Sequence, residues 1–246
     1  MGDRRRYVAL VAAVTIVVLA AGCSSSSSTA HNPAPFVEGQ AYAPAFDVAN
    51  FGNPKANPYF PLEPGVVTVF EGDGEHVEVT VTAETKVIQG VTTRVITDTV
   101  TVDGEVKEDT TDWYAADNLG NVWYFGEQTA EYENGQVTST EGSWEAGVDG
   151  ALPGVIMLAD PQVGDVYRQE WYAGQAQDVA KVYAVGESVT VPNGSFEQVI
   201  ITEDWSELTP DVHERKWYAP RVGVVHEKTV RGGSGSLDLV EATTQP

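Results

Sequence analysis

From Glu75 to Ile88 the side chains change character at almost every residue. Val77, Val79, Val81, Ala83 and Val87 fall on one face, and His76, Glu78, Thr80, Thr82, Glu84 and Lys86 on the other. A period of two is that of an extended strand with one dry and one wet face, which favours an antiparallel sheet over a parallel sheet buried on both sides. The alternation recurs down the chain, and beyond Asn57 no stretch of a dozen residues combines helical spacing with a cap. Gly72-Asp73-Gly74, Asp103-Gly104, Asn118-Leu119-Gly120-Asn121, Asn134-Gly135 and Asn193-Gly194 punctuate the runs with residues that accept the positive φ of tight hairpins. Strands are predicted over 65–71, 75–88, 91–103, 105–116, 121–126, 128–133, 136–141, 165–173, 178–191, 195–205, 213–219, 222–231 and 236–242.

A flat meander of that many strands would expose its apolar face and its edges, so it must curl. The predicted fold is all-β: a strongly curved antiparallel meander forming a half-open barrel or two packed sheets. The interval Gly142 to Gly164 breaks the alternation and carries Trp144, Leu152, Val155, Ile156, Met157 and Leu158. It is predicted to lie over the concave face as a long central loop, with one helical turn at Val155 to Ala159. One domain is expected over residues 57–246.

The N-terminus reads as an address. Arg4, Arg5 and Arg6 precede the uncharged run Tyr7 to Ala21, the charged and apolar regions of an export signal. The run ends in Leu19-Ala20-Ala21-Gly22-Cys23, which resembles the lipobox of bacterial lipoproteins, although that motif favours Leu where this chain has Ala20. The resemblance implies cleavage of residues 1–22, acylation of Cys23 by palmitate or a related chain, and anchorage at the outer face of the cell membrane. Cys23 is the one cysteine, so no disulfide forms within the chain. Residues 23–56 follow as the acylated Cys and a Ser/Pro-rich tether, with a reach of roughly 30 Å. Phe36, Tyr42, Phe46 and Phe51 are candidates to dock its later part on the domain.

Charge narrows the partners. With 36 Asp plus Glu against 14 Lys plus Arg, the chain carries −22, and removing residues 1–22 leaves 224 residues carrying −24. Such a surface repels the phosphates of nucleic acids, so none is expected as a partner.

Three further pieces accompany the opening Asn57-Pro58-Tyr59-Phe60-Pro61-Leu62-Glu63-Pro64-Gly65. They are Val163 to Tyr167, Val191 to Phe196 and Trp217 to Val225. Together they resemble a family of exported bacterial proteins, many of them lipoproteins, that begin their β domain with Tyr-Phe-Pro-Leu-x-x-Gly. The resemblance implies a β domain of uncharacterised role, similar to TapB-like and LolA-like envelope folds, with no catalytic residues to carry over.

Motifs for chemistry are sparse. No Gly-x-Ser-x-Gly elbow occurs, and Gly232 to Ser236 reads as a loop. His31, His76, His213 and His226 belong to no His-Glu-x-x-His pair, so neither metal nor cofactor is expected, and Asp117 to Asn121 reads as a hairpin turn. His226 shares its strand parity with Val222, Val224 and Val230 and is expected to point inward. Aromatic neighbours recur at Trp113-Tyr114, Trp123-Tyr124, Trp171-Tyr172 and Trp217-Tyr218, one ring on each face. Their inward rings, with the central loop, form the expected ligand site: Trp123, Trp144, Met157, Arg168 and Trp171. The expected function is that of a monomeric, non-catalytic, lipid-anchored envelope lipoprotein that binds an apolar small molecule or an envelope protein. The alternatives are a structural or interaction module with a filled core and a hydrolase of envelope polymers using paired carboxylates. An open apolar pocket beneath Gly142 to Gly164 favours the ligand-binding reading, and a close-packed interior the filled module.

Overall fold

The computed structural model describes residues 31–244. The export signal, Cys23 and the serine run up to residue 30 lie outside the described residues.

Fourteen strands make one antiparallel sheet. They are β1 (Val66–Gly72), β2 (Glu75–Ile88), β3 (Val91–Val102), β4 (Glu105–Ala116), β5 (Val122–Glu133), β6 (Gln136–Ser139), β7 (Trp144–Glu145), β8 (Gly154–Met157), β9 (Val166–Arg168), β10 (Asp178–Val191), β11 (Gly194–Ser206), β12 (His213–Ala219), β13 (Gly223–Arg231) and β14 (Ser236–Thr244). The one helical element among the described residues is a 3₁₀ turn, Val48–Phe51. The spatial order is β6-β5-β4-β3-β2-β1-β14-β13-β12-β11-β10-β9, with β7 and β8 also pairing with β5. First and last strands meet in the middle of the sheet, Val67 opposite Thr243. The fold is therefore the expected curved antiparallel meander, not closed into a barrel.

The turn chemistry works as the sequence suggests. Asp73 and Gly74 take φ of +52° and +87°, and Asp103-Gly104 and Asn134-Gly135 repeat the pattern. Two successive positive φ values match the twist of the flanking strands, and a glycine in second place adopts them without a Cβ clash.

Two features of the central interval differ from expectation. Gly154–Met157 is strand β8, with Val122 opposite Met157 and Trp123 opposite Val155, and the helical turn at Val155 to Ala159 does not form. The free edge of β5 explains this: its unpaired backbone groups need partners, and the β-branched Val155 and Ile156 suit an extended chain. β7 occupies the same edge, Trp144 opposite Glu127. The interval then brings the two ends of the sheet together, for Leu152 N–H donates to Trp171 C=O at 2.9 Å. At Gly154 a Cβ would stand 2.0 Å from the Gln169 carbonyl oxygen, so only glycine lets the two backbones approach this closely.

Residues 31–56 form a belt on the domain. His31 Nε2 lies 2.8 Å from Asp165, Arg168 N–H donates to Ala34 C=O at 2.8 Å, and Tyr42 hydroxyl donates to Pro153 C=O at 2.8 Å. Phe46 and Phe51 set their rings edge-on to Trp123 and against Phe125, with centroids 5.8–5.9 Å apart. The later part of the stretch read as tether is thus docked through the aromatic residues singled out for it.

The main core holds Trp123, Phe125, Val155, Met157, Leu158, Tyr167 and Tyr218, all fully or nearly fully buried. Each such side chain contributes about 1.5–3 kcal/mol of burial. A second, smaller core gathers Phe70, Val77, Val199, Ile201, Val225 and Leu239. It forms where the tip of the β10–β11 hairpin reaches β14, Asn193 N–H donating to Leu239 C=O at 3.0 Å.

Irregularities in register decide which side chains face inward. In β2 the pairing with β3 slips between Val81 and Thr85, so Val87 is 66% exposed while Ile88 is buried. The strict alternation predicted Val87 on the dry face; one irregularity inverts every position beyond it.

Candidate functional site

The concave side of the sheet holds a half-open chamber of about 180 Å³. Its floor is apolar: Phe60, Val81, Ile96, Ile156 and Val224, with the rings of Tyr114 and Tyr218. Its wall carries Asp98, Asp112, Glu227 and Lys216. Cross-strand register places these residues together, since Ile96 stands opposite Asp112, Val79 opposite Asp98, Lys216 opposite Glu227 and Tyr218 opposite Val224. Phe60 and Tyr114 also line a solvent-open groove of about 700 Å³ between the 48–64 segment and the ends of β3 and β4. The cover over the chamber comes chiefly from Phe60 and Pro61 of that segment, and from the central interval only Ile156 reaches it.

Two bulges build the acidic wall. Between Asp112 and Tyr114 the pairing with β5 gains a residue, so Asp112 faces Glu127 while Tyr114 faces Tyr124. Tyr124 and Glu127, three apart, thereby share a face that plain alternation would deny them. Gly126 makes this fit: its φ is +128°, and a Cβ there would lie 2.2 Å from the Trp144 carbonyl oxygen. On β13 a second irregularity sets His226 opposite Trp217 and Val224 opposite Tyr218. The inward residue is therefore Glu227, and His226, expected inward, stands beside Trp217 on the face opposite Lys216. There its Nδ1 lies 2.7 Å from Asp238.

The polar geometry is crowded with acids. Tyr124 hydroxyl makes a short contact with Asp112 and lies 3.1 Å from Glu127 Oε2. One phenol has one proton, so both contacts are hydrogen bonds only when one of the two carboxyls carries a proton of its own. Titration behaviour agrees. Burial first, then the neighbouring charges of Asp112 and Glu227, push Asp98 up to about 7. Burial, against the Tyr124 hydrogen bond, raises Asp112 to about 7, and burial, again against a Tyr124 hydrogen bond, raises Glu127 to about 7. Burial raises Asp204 to about 6, with Lys216 opposing, and burial raises Glu170 and Asp178 as well. Lys216 is held well above its ordinary value, chiefly by the charge of Glu227. Lys216 is the cation that acts on Asp98, Asp112, Glu170, Asp178 and Asp204, whereas Arg168 reaches only Asp178 among these. One acceptor on the chamber stays unmet, Asp98 Oδ1, whereas the carboxyl of Asp204 has Thr202 and Gln169 beside it as donors. No three His, Cys, Asp or Glu converge as a metal cage among the described residues.

The five residues read from the sequence lie elsewhere. Trp123 is a core ring whose Nε1–H donates to Asp117 at 3.0 Å. Trp144 stands edge-on to Tyr124 at 5.3 Å. Met157 is fully buried in β8. Arg168 and Trp171 do meet, the guanidinium 4.3 Å from the ring centroid, and Glu207 pairs with the same arginine. None of the five lines the chamber. Two of them border other hollows: Trp123 a cleft of about 330 Å³ beside Asn118, and Arg168 one of about 160 Å³ beside Tyr42. The acids that do line the chamber were hidden among 36, although Asp98 and Asp112 reach it by plain alternation with Ile96 and Tyr114; Gly126, interrupting a strand run, marks only the bulge that sets Glu127 opposite Asp112.

No family model matches the chain, and no curated protein does. Two solved structures are similar to it. One is a "putative lipoprotein" from Parabacteroides distasonis, 13% identical, with a TM-score of 0.44 over 77% of this chain and all of the other. The other is a "putative exported protein with YmcC-like fold" from Bacteroides fragilis, 15% identical, with a TM-score of 0.46 over the same shares.

Proposed function

We propose that this chain is a monomeric, lipid-anchored, non-catalytic protein of the cell envelope that holds a small amphiphilic molecule inside its curled sheet. Residues 1–22 export it and Cys23 carries the lipid at the outer face of the membrane. With residues 31–56 docked, seven residues separate Cys23 from the belt, a span of no more than about 30 Å when fully extended.

The observation that supports the ligand reading is the unfilled interior. The chamber and the groove share the walls Phe60 and Tyr114, and their lining is largely apolar with a few convergent polar groups, the composition of a small-molecule site. A module with a filled core would leave no such space. Native mass spectrometry of the chain released from membranes of its own host should show the acylated polypeptide with a second, non-covalent mass. Cys23→Ser should abolish incorporation of labelled palmitate. The bare polypeptide alone would count against the ligand, and unchanged palmitate labelling against the anchor.

A second reading is favoured by one observation. Asp98 and Asp112, both raised to about 7, would supply a protonated and an ionised carboxyl together near neutral pH, as hydrolysis of a glycosidic bond requires. Turnover of envelope polysaccharide that disappears in Asp112→Asn would favour it. A rate equal to that of buffer alone would remove it.

A further inference from the structure

Resting on the reading of the interior as ligand space, we propose that the chamber selects an organic cation, a primary ammonium on a short apolar body, with the ammonium at Asp98 and Asp112 and the body against Phe60, Ile156 and Tyr218. The volume of about 180 Å³ equals that of about six water molecules. That is room for a ligand of about six to nine non-hydrogen atoms.

Three independent features point to a positive, hydrogen-bonding head. The first is an unmet acceptor. Asp98 lines the chamber, and its Oδ1 has no hydrogen-bond partner among the described residues. A buried acceptor without a donor is costly, and an ammonium brings three donors. The second is the sign of the wall, where Lys216 stands as the one cation lining the chamber among Asp98, Asp112 and Glu227. An anionic head would meet repulsion there, and a neutral head would leave the charges unbalanced. The third is the absence, among the described residues, of a set of acids converging on one point. A bare metal ion needs several oxygens at short, similar distances, whereas an alkylammonium tolerates spread acceptors and places its hydrocarbon on the apolar floor.

The test uses the full chain and three isosteric probes at pH 7.5: hexylammonium chloride, 1-hexanol and sodium hexanoate, each titrated calorimetrically. Hexylammonium should bind at least about tenfold more tightly than 1-hexanol, and hexanoate should not bind up to about 10 mM. The double variant Asp98→Asn/Asp112→Asn should weaken hexylammonium by at least about tenfold and leave 1-hexanol unchanged. Lys216→Met, which removes the competing cation, should tighten hexylammonium, an effect of opposite sign that loss of fold could not imitate. Equal binding of hexylammonium and 1-hexanol would overturn the cation assignment while leaving the interior as a site for an amphiphile. Failure of all three probes to bind would overturn both. A preference that survives the double variant would also overturn the assignment of Asp98 and Asp112.

Discussion

Asp117→Ala should lower the stability of the domain by about 3 to 5 kcal/mol, read as a fall in the urea midpoint followed by tryptophan fluorescence. The side chain of Asp117 holds the β4–β5 turn from within. Its Oδ1 accepts from the backbone N–H groups of Leu119 at 2.8 Å, Gly120 at 2.8 Å and Asn121 at 3.0 Å. Its Oδ2 accepts from Asn121 Nδ2 at 2.8 Å and from Trp123 Nε1 at 3.0 Å. The turn is in turn tied to distant chain: Asn57 Nδ2 donates to Gly120 C=O and Leu158 C=O, and Asn121 Oδ1 accepts from Ala159 N–H. Alanine would orphan four donors at the junction of the belt, the turn and the end of β8, since Gly120 N–H also donates to the Asp117 carbonyl at 3.1 Å. Asp117→Asn keeps an oxygen for the three backbone donors and turns an NH₂ toward the others, so it should cost less, about 1 to 2 kcal/mol. Equal losses for the two variants, or a loss under about 1 kcal/mol for alanine, would show that the turn holds without this carboxyl.

How far the sequence discloses such a structure depends on whether a feature is local. The Asp-Gly and Asn-Gly turns, the strand runs and the aromatic docking of residues 31–56 are local or nearly so, and they appear where the residues suggest. β8 is not local: Val155 and Ile156 become a strand only because β5 offers an edge. The face assignments fail for a sharper reason. Val87, Glu127 and His226 each lie beyond a slip in register, of two residues before Val87 and of one at the other two, and such a slip exchanges the inward and outward sets. The candidate site suffers doubly. Its acids look like surface residues in a chain this acidic, and two of the slips are what bring Asp112, Tyr124, Glu127, Lys216 and Glu227 onto one face. A glycine within a strand run, such as Gly126, is the trace that a bulge leaves in sequence.

Those same inward acids give the protein an unusual response to pH: it should become more stable as pH falls from 7.5 to about 5. Asp98, Asp112 and Glu127 titrate at about 7 in the folded chain and Asp204 at about 6, against about 4 when unfolded. Between about pH 4 and 7 the folded state therefore binds more protons than the unfolded one, and stability falls as pH rises through that window. Below it both states are protonated and the penalty is absent; above it the penalty is complete. Glu203 works in the opposite sense. Despite partial burial, its hydrogen bonds from Arg215 and His213 hold it below its ordinary value, so its contribution is lost only at lower pH, beneath this window. The gain on acidification should reach about 2 to 4 kcal/mol, which for a domain of this size is about 5 to 12 °C in Tm by calorimetry. Weaker repulsion among surface acids acts in the same direction, so the decisive comparison is with Asp98→Asn/Asp112→Asn. That variant should be the more stable protein at pH 7.5 and show a much flatter profile. A wild-type Tm that drops steadily from pH 7.5 to 5, or a variant profile as steep as the wild type's, would mean that these carboxyls are not enclosed by the curled sheet.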